Sequence, residues 1–297
     1  MSAGRRDPGQ GPDEAGFVLP AVLAILVVLS AAAATAALRL QTRTTLVGTR
    51  GDLVRLQGQA DGIARLVAFG AVVERTYRAR SLGLPEDGGP VACPLPGGAT
   101  ARIALRDQGG LLDLNTTPRP QMEEAFRTLG IPDRDALALA AEIVDFRDPD
   151  DTPDPGGGAE AAQYQARGFA YGPRNGPFVR ADEIEQLPSM TPAIASTLLP
   201  AVTVFNPNGR FDATRLRRTP AAPGVGPSAS PSPRQFLRIE VSVAGPTGAR
   251  AGRSALVSLG NAPVGIGIVD WVRSVPTPQA GIAHPACARI AAAIGPG

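Results

Sequence analysis

The chain has 297 residues, which is enough for one large domain or two modest ones. Its 29 basic residues are all arginine and nearly balance 27 acidic residues, so the net charge gives no sign of nucleic-acid binding. With 35 glycines, 30 prolines and only 4% aromatic residues, the composition favours a loop-rich body with a small core over a tightly packed enzyme. The single histidine, His284, belongs to no nucleophile–base motif, and we therefore expect no catalytic activity.

The N-terminal region contains an apolar segment, residues 17–38, that carries no charge. At 1.5 Å per residue it would form about 33 Å of helix, enough to cross the hydrocarbon core of a membrane. A cleaved signal peptide would explain Arg5, Arg6 and the small residues of the segment, but Asp13 and Glu14 stand where basic residues normally lie. An uncut signal anchor is a second alternative, and arginines on both sides of the segment do not settle its orientation.

Gly16 and Phe17 stand at the junction between a polar leader, residues 1–16, and the apolar segment. This junction is similar to the start of prepilins, and we favour cleavage there, which would leave Pro20 in the first helical turn, where its missing N–H costs nothing. The apolar segment would then stay on the mature protein as membrane anchor and assembly surface. Typical pilins carry Glu at mature position five, whereas this chain has Ala21. Because an unpaired carboxylate is costly in lipid, its absence fits a subunit at the tip of a filament.

Beyond the apolar segment, the spacing predicts that the helix continues amphipathically through residues 39–80. Apolar residues recur there at steps of three and four: Leu53, Leu56, Ala60, Ile63 and Val67. Residues 81–98 are rich in Gly and Pro and predict a loop. Weak alternation at residues 101–105 and an apolar run at 111–114 predict one or two short strands.

The period then becomes helical. Helices are predicted at residues 121–129, 133–146 and 181–187, and from Pro192 to about Pro200. Gly130 would end the first of these helices, while Asp133 would cap the second and Thr191 the last.

The C-terminal third returns to strand patterns. A linker rich in Pro, residues 219–233, precedes clean alternation at 236–243, and residues 255–259 form a partner strand. The tail, residues 261–297, holds an apolar stretch at 264–271 that is either another strand or a cover for the sheet. Strands on both sides of a helical block indicate an α+β fold, in which an all-helical domain is inserted into an antiparallel sheet.

One loop, residues 145–160, concentrates six carboxylates: Asp145, Asp148, Asp150, Asp151, Asp154 and Glu160. So much like charge is repulsive unless cations or solvent screen it. The ligand atoms are hard oxygens without His or Cys nearby, which favours calcium over zinc or copper, although the spacing is not that of an EF-hand. A solvated acidic loop without a bound ion is the alternative.

The chain has two cysteines, Cys93 and Cys287. In an oxidising compartment a disulfide between them would close a loop of nearly 200 residues, worth roughly 5 kcal/mol on the chain-entropy model. Nothing in the sequence shows that the two sites approach each other, so two unpaired thiols are the alternative.

Several motifs stand around the acidic loop. They comprise Leu112-Asp113-Leu114-Asn115-Thr116, Asp145-Phe146-Arg147-Asp148-Pro149-Asp150, Gly158-Ala159-Glu160, Tyr164, Tyr171, Pro173, Asn175, Pro177-Phe178, Asp182-Glu183-Ile184 and Met190-Thr191. In this combination the chain resembles the minor pseudopilin K family of type II secretion systems (general secretion pathway protein K). The resemblance covers most of residues 16–218.

This resemblance implies a pilin-like fold whose inserted helical domain binds calcium. The expected ligands are Asp148, Asp150, Asp151 and Glu160, with Asp145 and Asp154 as further candidates. It also implies a subunit that caps the pseudopilus together with minor pseudopilins I and J, above the major pseudopilin, in the export of folded proteins across the outer membrane. Prepilin peptidase would cut after Gly16, and Phe17 would be N-methylated. The expected location is the inner membrane, with a single pass and the body in the periplasm.

The expected organisation follows. It comprises the leader (1–16), the transmembrane and assembly helix (17–38), its amphipathic continuation (39–80), the sheet (81–106 and 234–260), the inserted helical domain (107–218), the linker (219–233) and the tail (261–297).

Two rival functions share features with this one. A minor pilin of a type IV pilus or of a DNA-uptake machine would have the same anchor and fold. Residues 185–191 are also similar to a helix-hairpin-helix turn, but Ser189 and Thr191 replace the glycines that let backbone amides approach a phosphate. Asp182 and Glu183 add negative charge, so we do not expect nucleic acid as a partner.

Overall fold

The structure, a computed structural model, describes residues 18–78, 82–211, 232–260, 267–275 and 280–295. Its helices are α1 (Val18–Tyr77), α2 (Arg119–Thr128), α3 (Asp133–Arg147), α4 (Ala161–Ala166), α5 (Pro192–Leu198) and α6 (Ala286–Ile294). Its strands are β1 (Val91–Pro94), β2 (Thr100–Asp107), β3 (Leu112–Asp113), β4 (Val202–Thr203), β5 (Phe236–Ala244), β6 (Arg250–Ser258) and β7 (Gly267–Arg273). Short 3-10 helices cover Pro96–Gly98, Gln108–Gly110 and Ala181–Gln186. Gly16, Phe17 and residues 219–231 of the expected linker lie outside the described residues.

Helix α1 is continuous over 60 residues and ends close to the predicted position near Arg80. The chain divides into two compact units, Met1–Val54 and Arg55–Gly297. In the first unit, Leu19–Ala37 is long and apolar enough to cross a membrane, and its side chains are not buried. Leu53, the first residue of the expected apolar stripe, is 41% exposed.

In the second unit, the rest of α1 packs on a five-stranded sheet. The strand order is β1-β2-β5-β6-β7, and every neighbouring pair is antiparallel. The shared core contains Leu56, Ala60, Ile63 and Val67 of the helix with Ile103, Ile239, Val241 and Val257 of the strands. Apolar residues alternate towards this core along β2 and β5, as a half-buried strand requires. The predicted α+β fold, with a long helix on an antiparallel sheet and a helical region, is confirmed.

The expectation of a continuous loop at residues 81–98 is wrong at Val91–Pro94, because β1 pairs there with β2. This strand is only four residues long and depends on its partner more than on its own pattern. The tail also forms defined structure, since β7 joins the sheet edge and α6 packs on the core through Ala286 and Ile290. In β7 the ring of Trp271 lies 5.3 Å from the Arg65 guanidinium and 5.0 Å from that of Arg253.

A disulfide joins Cys93 in β1 to Cys287 in α6, with the Cα atoms 5.0 Å apart. Cys93 is fully buried in the core between α1 and the sheet. The bond therefore fastens the last described helix to the first strand. The sequence alone left unpaired thiols open as an alternative.

The helical region lies between β2 and β5 in the chain and has a core of its own. That core includes Leu114, Met122, Phe126, Leu139, Ile143, Phe146, Phe178, Ile184 and Leu198. At its base β3 and β4 pair in parallel, with Leu112 opposite Val202 and Asp113 opposite Thr203. This short pairing brings the start and the end of the region together.

Two helix starts differ in how they are capped. Thr191 caps α5 as predicted, since its Oγ1 accepts the N–H of Ile194 at 3.2 Å. The prediction that Asp133 caps α3 is wrong, because Pro132 occupies the N-cap position and Asp133 lies in the first turn. There the carboxylate still interacts favourably with the helix dipole. The six-residue helix α4 had no counterpart among the predicted elements.

The motif Leu112-Asp113-Leu114-Asn115-Thr116 organises the entrance to the helical region. Buried Asp113 accepts the N–H groups of Asn115, Thr116 and Asn206 at 2.8, 3.0 and 2.7 Å. The Asn115 amide donates to the carbonyl of Phe178 at 2.9 Å and accepts the N–H of Phe178 at 2.8 Å. This side chain therefore pairs with a distant segment as a strand residue would.

Replacing Asn115 by Ala is expected to lower the free energy of unfolding by about 2 kcal/mol, because both backbone groups of Phe178 lose their partner. Asn115→Asp keeps the acceptor but loses the donor while the carboxylate is ionised, so its cost should become smaller at acid pH, where the protonated carboxyl can donate to Phe178. Chemical denaturation of the full-length protein in detergent measures both. Equal stability of wild type and Asn115→Ala would contradict this role.

Candidate metal site

Three carboxylates converge at the end of α3. Asp148, Asp150 and Glu160 each offer one oxygen, and these three oxygens lie within 4.8 Å of one another. We call Asp148, Asp150 and Glu160 the acidic triad. Glu160 is buried, Asp148 is half-buried and Asp150 is exposed, so the acidic triad opens to solvent on one side.

Local backbone structure places each member of the triad. Asp148 ends α3, and its N–H donates to the carbonyl of Val144 at 2.9 Å. Asp150 begins a tight turn, since its Oδ1 accepts the N–H of Thr152 at 2.8 Å. Glu160 precedes α4, where Gln163 Oε1 accepts the Glu160 N–H at 3.0 Å. The triad is thus built from the end of one helix, a turn and the start of the next helix.

The triad contains buried acceptors without a donor. Among the described residues, Asp148 Oδ1 and both carboxylate oxygens of Glu160 are buried and have no hydrogen-bond partner. Buried polar atoms are normally satisfied, and a carboxylate without a donor is especially costly. A cation bound by the triad would satisfy such acceptors.

Burial and like charge raise the pKa values here. Burial, followed by the negative charges of Asp145 and Asp148, raises the pKa of Glu160 to about 7. Burial is also the main cause for Asp145, whose pKa rises to about 6. The pKa of Asp148 is raised by burial and by Asp150 and Asp154. Each shift disfavours the ionised form in a protein without a bound cation.

These shifts predict a pH dependence for the metal-free protein. Because the folded-state pKa values of Asp145 and Glu160, about 6 and about 7, lie above their ordinary values of 3.8 and 4.5, the folded state holds these protons more tightly. The stability that this contributes is present at about pH 4 and is lost as the pH rises to about 7. We therefore expect the melting temperature in chelator to fall between pH 5 and pH 7.5 by roughly 5 °C. Glu160→Gln should flatten this profile, and an unchanged profile would contradict it.

The other expected ligands lie beside the triad rather than in it. Asp151 Oδ1 accepts the Asn175 amide at 3.0 Å, and the same amide donates to the carbonyl of Asp150 at 3.0 Å. Asp154 forms an ion pair with Arg119 at 2.7 Å. Asp145 is fully buried, and its Oδ1 accepts the N–H of Asp154 at 2.9 Å.

The residues of the site fit a calcium ion. Calcium binds oxygen at 2.3–2.6 Å, so two oxygens on one ion are at most about 5.2 Å apart. The 4.8 Å limit within the triad satisfies this condition. The three carboxylates are hard oxygen ligands, whereas zinc and copper prefer His and Cys. His284 accepts the N–H of Ala286 in the tail, and both cysteines are in the disulfide.

Asn175 and Arg119 had no assigned role in the sequence. Asn175 has a φ of 51°, a backbone conformation that Asn tolerates better than most residues, and the next N–H, of Gly176, donates to the carbonyl of Phe146 at 3.1 Å. The rings of Phe146 and Phe178 stack with centroids 4.2 Å apart. The segment around Asn175 is thereby held against the end of α3, where its side chain meets the acidic loop.

In the turn at residues 185–191, which is similar to a helix-hairpin-helix turn, the backbone N–H of Ser189 already has a hydrogen-bond partner within the protein. The Ser189 N–H donates to Glu142 Oε2 at 3.0 Å, and the Ser189 hydroxyl donates to Glu142 Oε1 at 2.6 Å. Glu142 is fully buried and also pairs with Arg167 at 2.9 Å. A buried carboxylate stands where a phosphate would have to bind, so this turn is a structural element of the helical region.

Comparisons with known proteins agree with this architecture. The fold is similar to a chain in the crystal structure of the GspK-GspI-GspJ complex from the type 2 secretion system of enterotoxigenic Escherichia coli, with a TM-score of 0.54 and 16% sequence identity. The similarity covers 79% of this chain and 100% of that chain. No curated protein matches this chain by sequence.

The family match falls on the helical region. Residues 104–207, which include the acidic triad, match the family model described as Type II secretion system (T2SS), protein K. The fold and this match are those of a protein class found in type II secretion systems. More specifically, this part of the chain matches type II secretion system protein K (GspK), and the resemblance seen in the sequence motifs is confirmed.

Proposed function

We propose that the chain is a minor pseudopilin that caps the tip of the type II secretion pseudopilus and so serves the export of folded proteins across the outer membrane. The observation that carries this proposal is the protein K family match over residues 104–207. The apolar stretch Leu19–Ala37 of α1 supports a single-pass anchor in the inner membrane, with the body in the periplasm.

The proposed partners are minor pseudopilins I and J, with the major pseudopilin below them. The similar crystal structure is that of a complex of GspK with GspI and GspJ, and this supports the same kind of assembly for this chain. Ala21 further supports a tip position, because a subunit without a carboxylate at this point in α1 needs no neighbour above it to neutralise one.

We further infer that the acidic triad binds calcium as a structural ion. The unpartnered buried oxygens of Glu160 and Asp148 support this assignment, together with the raised pKa of Glu160, about 7. Bound calcium would supply two positive charges to a loop that otherwise holds unbalanced negative charge. Asp148, Asp150 and Glu160 would bind it directly and fix the loop between α3 and α4.

The N-terminal processing is tested by mass spectrometry of the mature protein from its own cells. Cleavage by prepilin peptidase after Gly16 and methylation predict a mature N-terminus of N-methyl-Phe17. A start among residues 33–38 would indicate an ordinary signal peptide and would contradict a filament subunit. Co-purification of pseudopilins I and J with the full-length protein from detergent-solubilised membranes tests the assembly. Recovery of type IV pilus subunits in their place would contradict the secretion assignment.

A further inference from the structure

One buried carboxylate lies beside the acidic triad without belonging to it. Asp145 is on the last turn of α3 and is fully buried. Its Oδ1 accepts the N–H of Asp154 at 2.9 Å, and among the described residues its buried Oδ2 has no hydrogen-bond partner. This side chain at the end of α3 therefore holds the backbone of the acidic loop at Asp154, six residues before Glu160 of the triad.

The second oxygen of Asp145 is covered by the same loop. A Cβ atom added at Gly158 would lie 2.3 Å from Asp145 Oδ2, and 2.5 Å and 2.6 Å from the backbone N and O of Asp154. The loop backbone thus runs directly over the carboxylate, at a distance that glycine alone permits. The N–H of Gly158 also donates to the carbonyl of Asp154 at 3.0 Å, which closes the turn around Asp145.

The two ends of this turn have further supports. Asp154 is paired with Arg119 of α2 at 2.7 Å, so its carboxylate is directed to a cation of the protein. On the opposite side of the loop, Asn175 holds Asp150 and Asp151. The loop is therefore held by two segments outside it, α2 and the segment around Asn175.

We propose that Asp145 is a positioning residue of the metal site: it binds no ion, and it holds residues 154–159 so that the Glu160 carboxylate meets Asp148 and Asp150. This inference rests on the proposed calcium site. Of the six carboxylates of the loop, it assigns three to binding the ion and one to shaping the loop. Such supporting residues typically change metal affinity by about 10–100-fold when they are removed.

Europium luminescence in the full-length protein in detergent separates the two roles. The lifetime of directly excited Eu³⁺ in H₂O and in D₂O counts the water molecules on the bound ion. Loss of a direct ligand, in Asp150→Ala, should admit about one more water at saturation, because the ion replaces the missing oxygen. Asp145→Ala should weaken Eu³⁺ binding at least tenfold and leave the number of waters at saturation as in wild type.

Two further variants keep the test decisive if Asp145→Ala folds poorly. Asp145→Asn retains an acceptor for the Asp154 N–H and should recover most of the affinity. Gly158→Ala leaves every carboxylate in place and should weaken binding as Asp145→Ala does, again without an added water. Two outcomes would overturn this inference and leave the proposed calcium site intact. One is an additional water on the ion in Asp145→Ala or Asp145→Asn. The other is wild-type affinity for Eu³⁺ in both Asp145→Ala and Gly158→Ala. Absence of Eu³⁺ binding by the wild-type protein would remove the proposed calcium site, and this inference with it.

Discussion

We expect calcium to raise the melting temperature of the chelator-treated full-length protein at pH 7.5, because the proposed site is the folded acidic triad and the unfolded chain has no preformed site. At a calcium concentration about 100 times the dissociation constant, the gain is about 2.7 kcal/mol. For a chain of this size that corresponds to roughly 5–10 °C. Differential scanning calorimetry or fluorimetry in detergent, with and without calcium, measures it.

The variant Glu160→Gln distinguishes calcium binding at the triad from a general effect of salt on stability, because its stability relative to wild type should change sign when calcium is added. In chelator at pH 7.5 the variant should be at least as stable as wild type, because it removes a buried negative charge whose pKa is raised to about 7. With calcium it should be less stable than wild type, because the ion loses a ligand. The two stability curves therefore cross as calcium is added.

Glu124→Gln is the matched control for this pair of measurements. The Glu124 side chain on α2 is 74% exposed, and its contact with Arg127 is long, at 3.6 Å, so the substitution should leave both the chelated and the calcium-bound stability nearly unchanged. If calcium shifts the melting temperature of Glu160→Gln as much as that of wild type, the ion binds elsewhere. A wild-type protein that does not respond to calcium would remove the site altogether.

Loss of the Cys93–Cys287 disulfide is expected to have the largest effect on stability. The bond spans 194 residues of sequence, and closing a loop of that length lowers the entropy of the unfolded chain by the equivalent of about 5 kcal/mol. Cys93→Ala with Cys287→Ala should therefore lower the free energy of unfolding by up to about 5 kcal/mol. Alanine is the appropriate replacement at Cys93, because a serine hydroxyl would be buried there.

Reductant supplies the control for the disulfide. Reduced wild type should unfold close to the midpoint of the double alanine variant, and reductant should not change the midpoint of that variant. Guanidinium unfolding of the full-length protein, followed by circular dichroism, provides these midpoints. If oxidised wild type and the double variant unfold at the same midpoint, the bond does not constrain the unfolded chain.

The fold was predictable where a single pattern decides burial. The alternation at residues 236–243 marks β5 because one face of that strand packs on α1 while the other does not. In the same way, the three- and four-residue spacing from Leu56 to Val67 marks the face of α1 that contacts the sheet. These signals are local to each element and need no knowledge of its partner.

The elements that sequence reasoning missed depend on distant partners. Strand β1 is short and contains Pro94, and it forms because β2 offers a free edge and Cys93 is bonded to α6. Helix α6 lies between proline and glycine residues in a segment without strand alternation. Neither partner is visible in the local pattern of either segment.

The candidate site shows the same division. The residue types of the acidic loop indicate hard oxygen ligands and hence calcium, but they do not tell which carboxylates meet. Two contacts separate two of the remaining carboxylates from the triad: Arg119 forms an ion pair with Asp154, and the Asn175 amide donates a hydrogen bond to Asp151. Arg119 is 35 positions from Asp154, and Asn175 is 24 positions from Asp151, so spacing within the loop carries no record of these contacts.

The bond between β1 and α6 turns most of the body into a closed covalent ring. A mechanical pull applied between the two ends of the chain would travel along α1, into β1 and across the sulfur atoms to α6. The helical region and four of the five sheet strands lie between the two cysteines in the chain. The covalent path through the disulfide therefore bypasses them, and they carry none of the force. Tension applied through α1 would therefore leave the acidic loop unloaded, and only reduction of the disulfide would place the helical region under force.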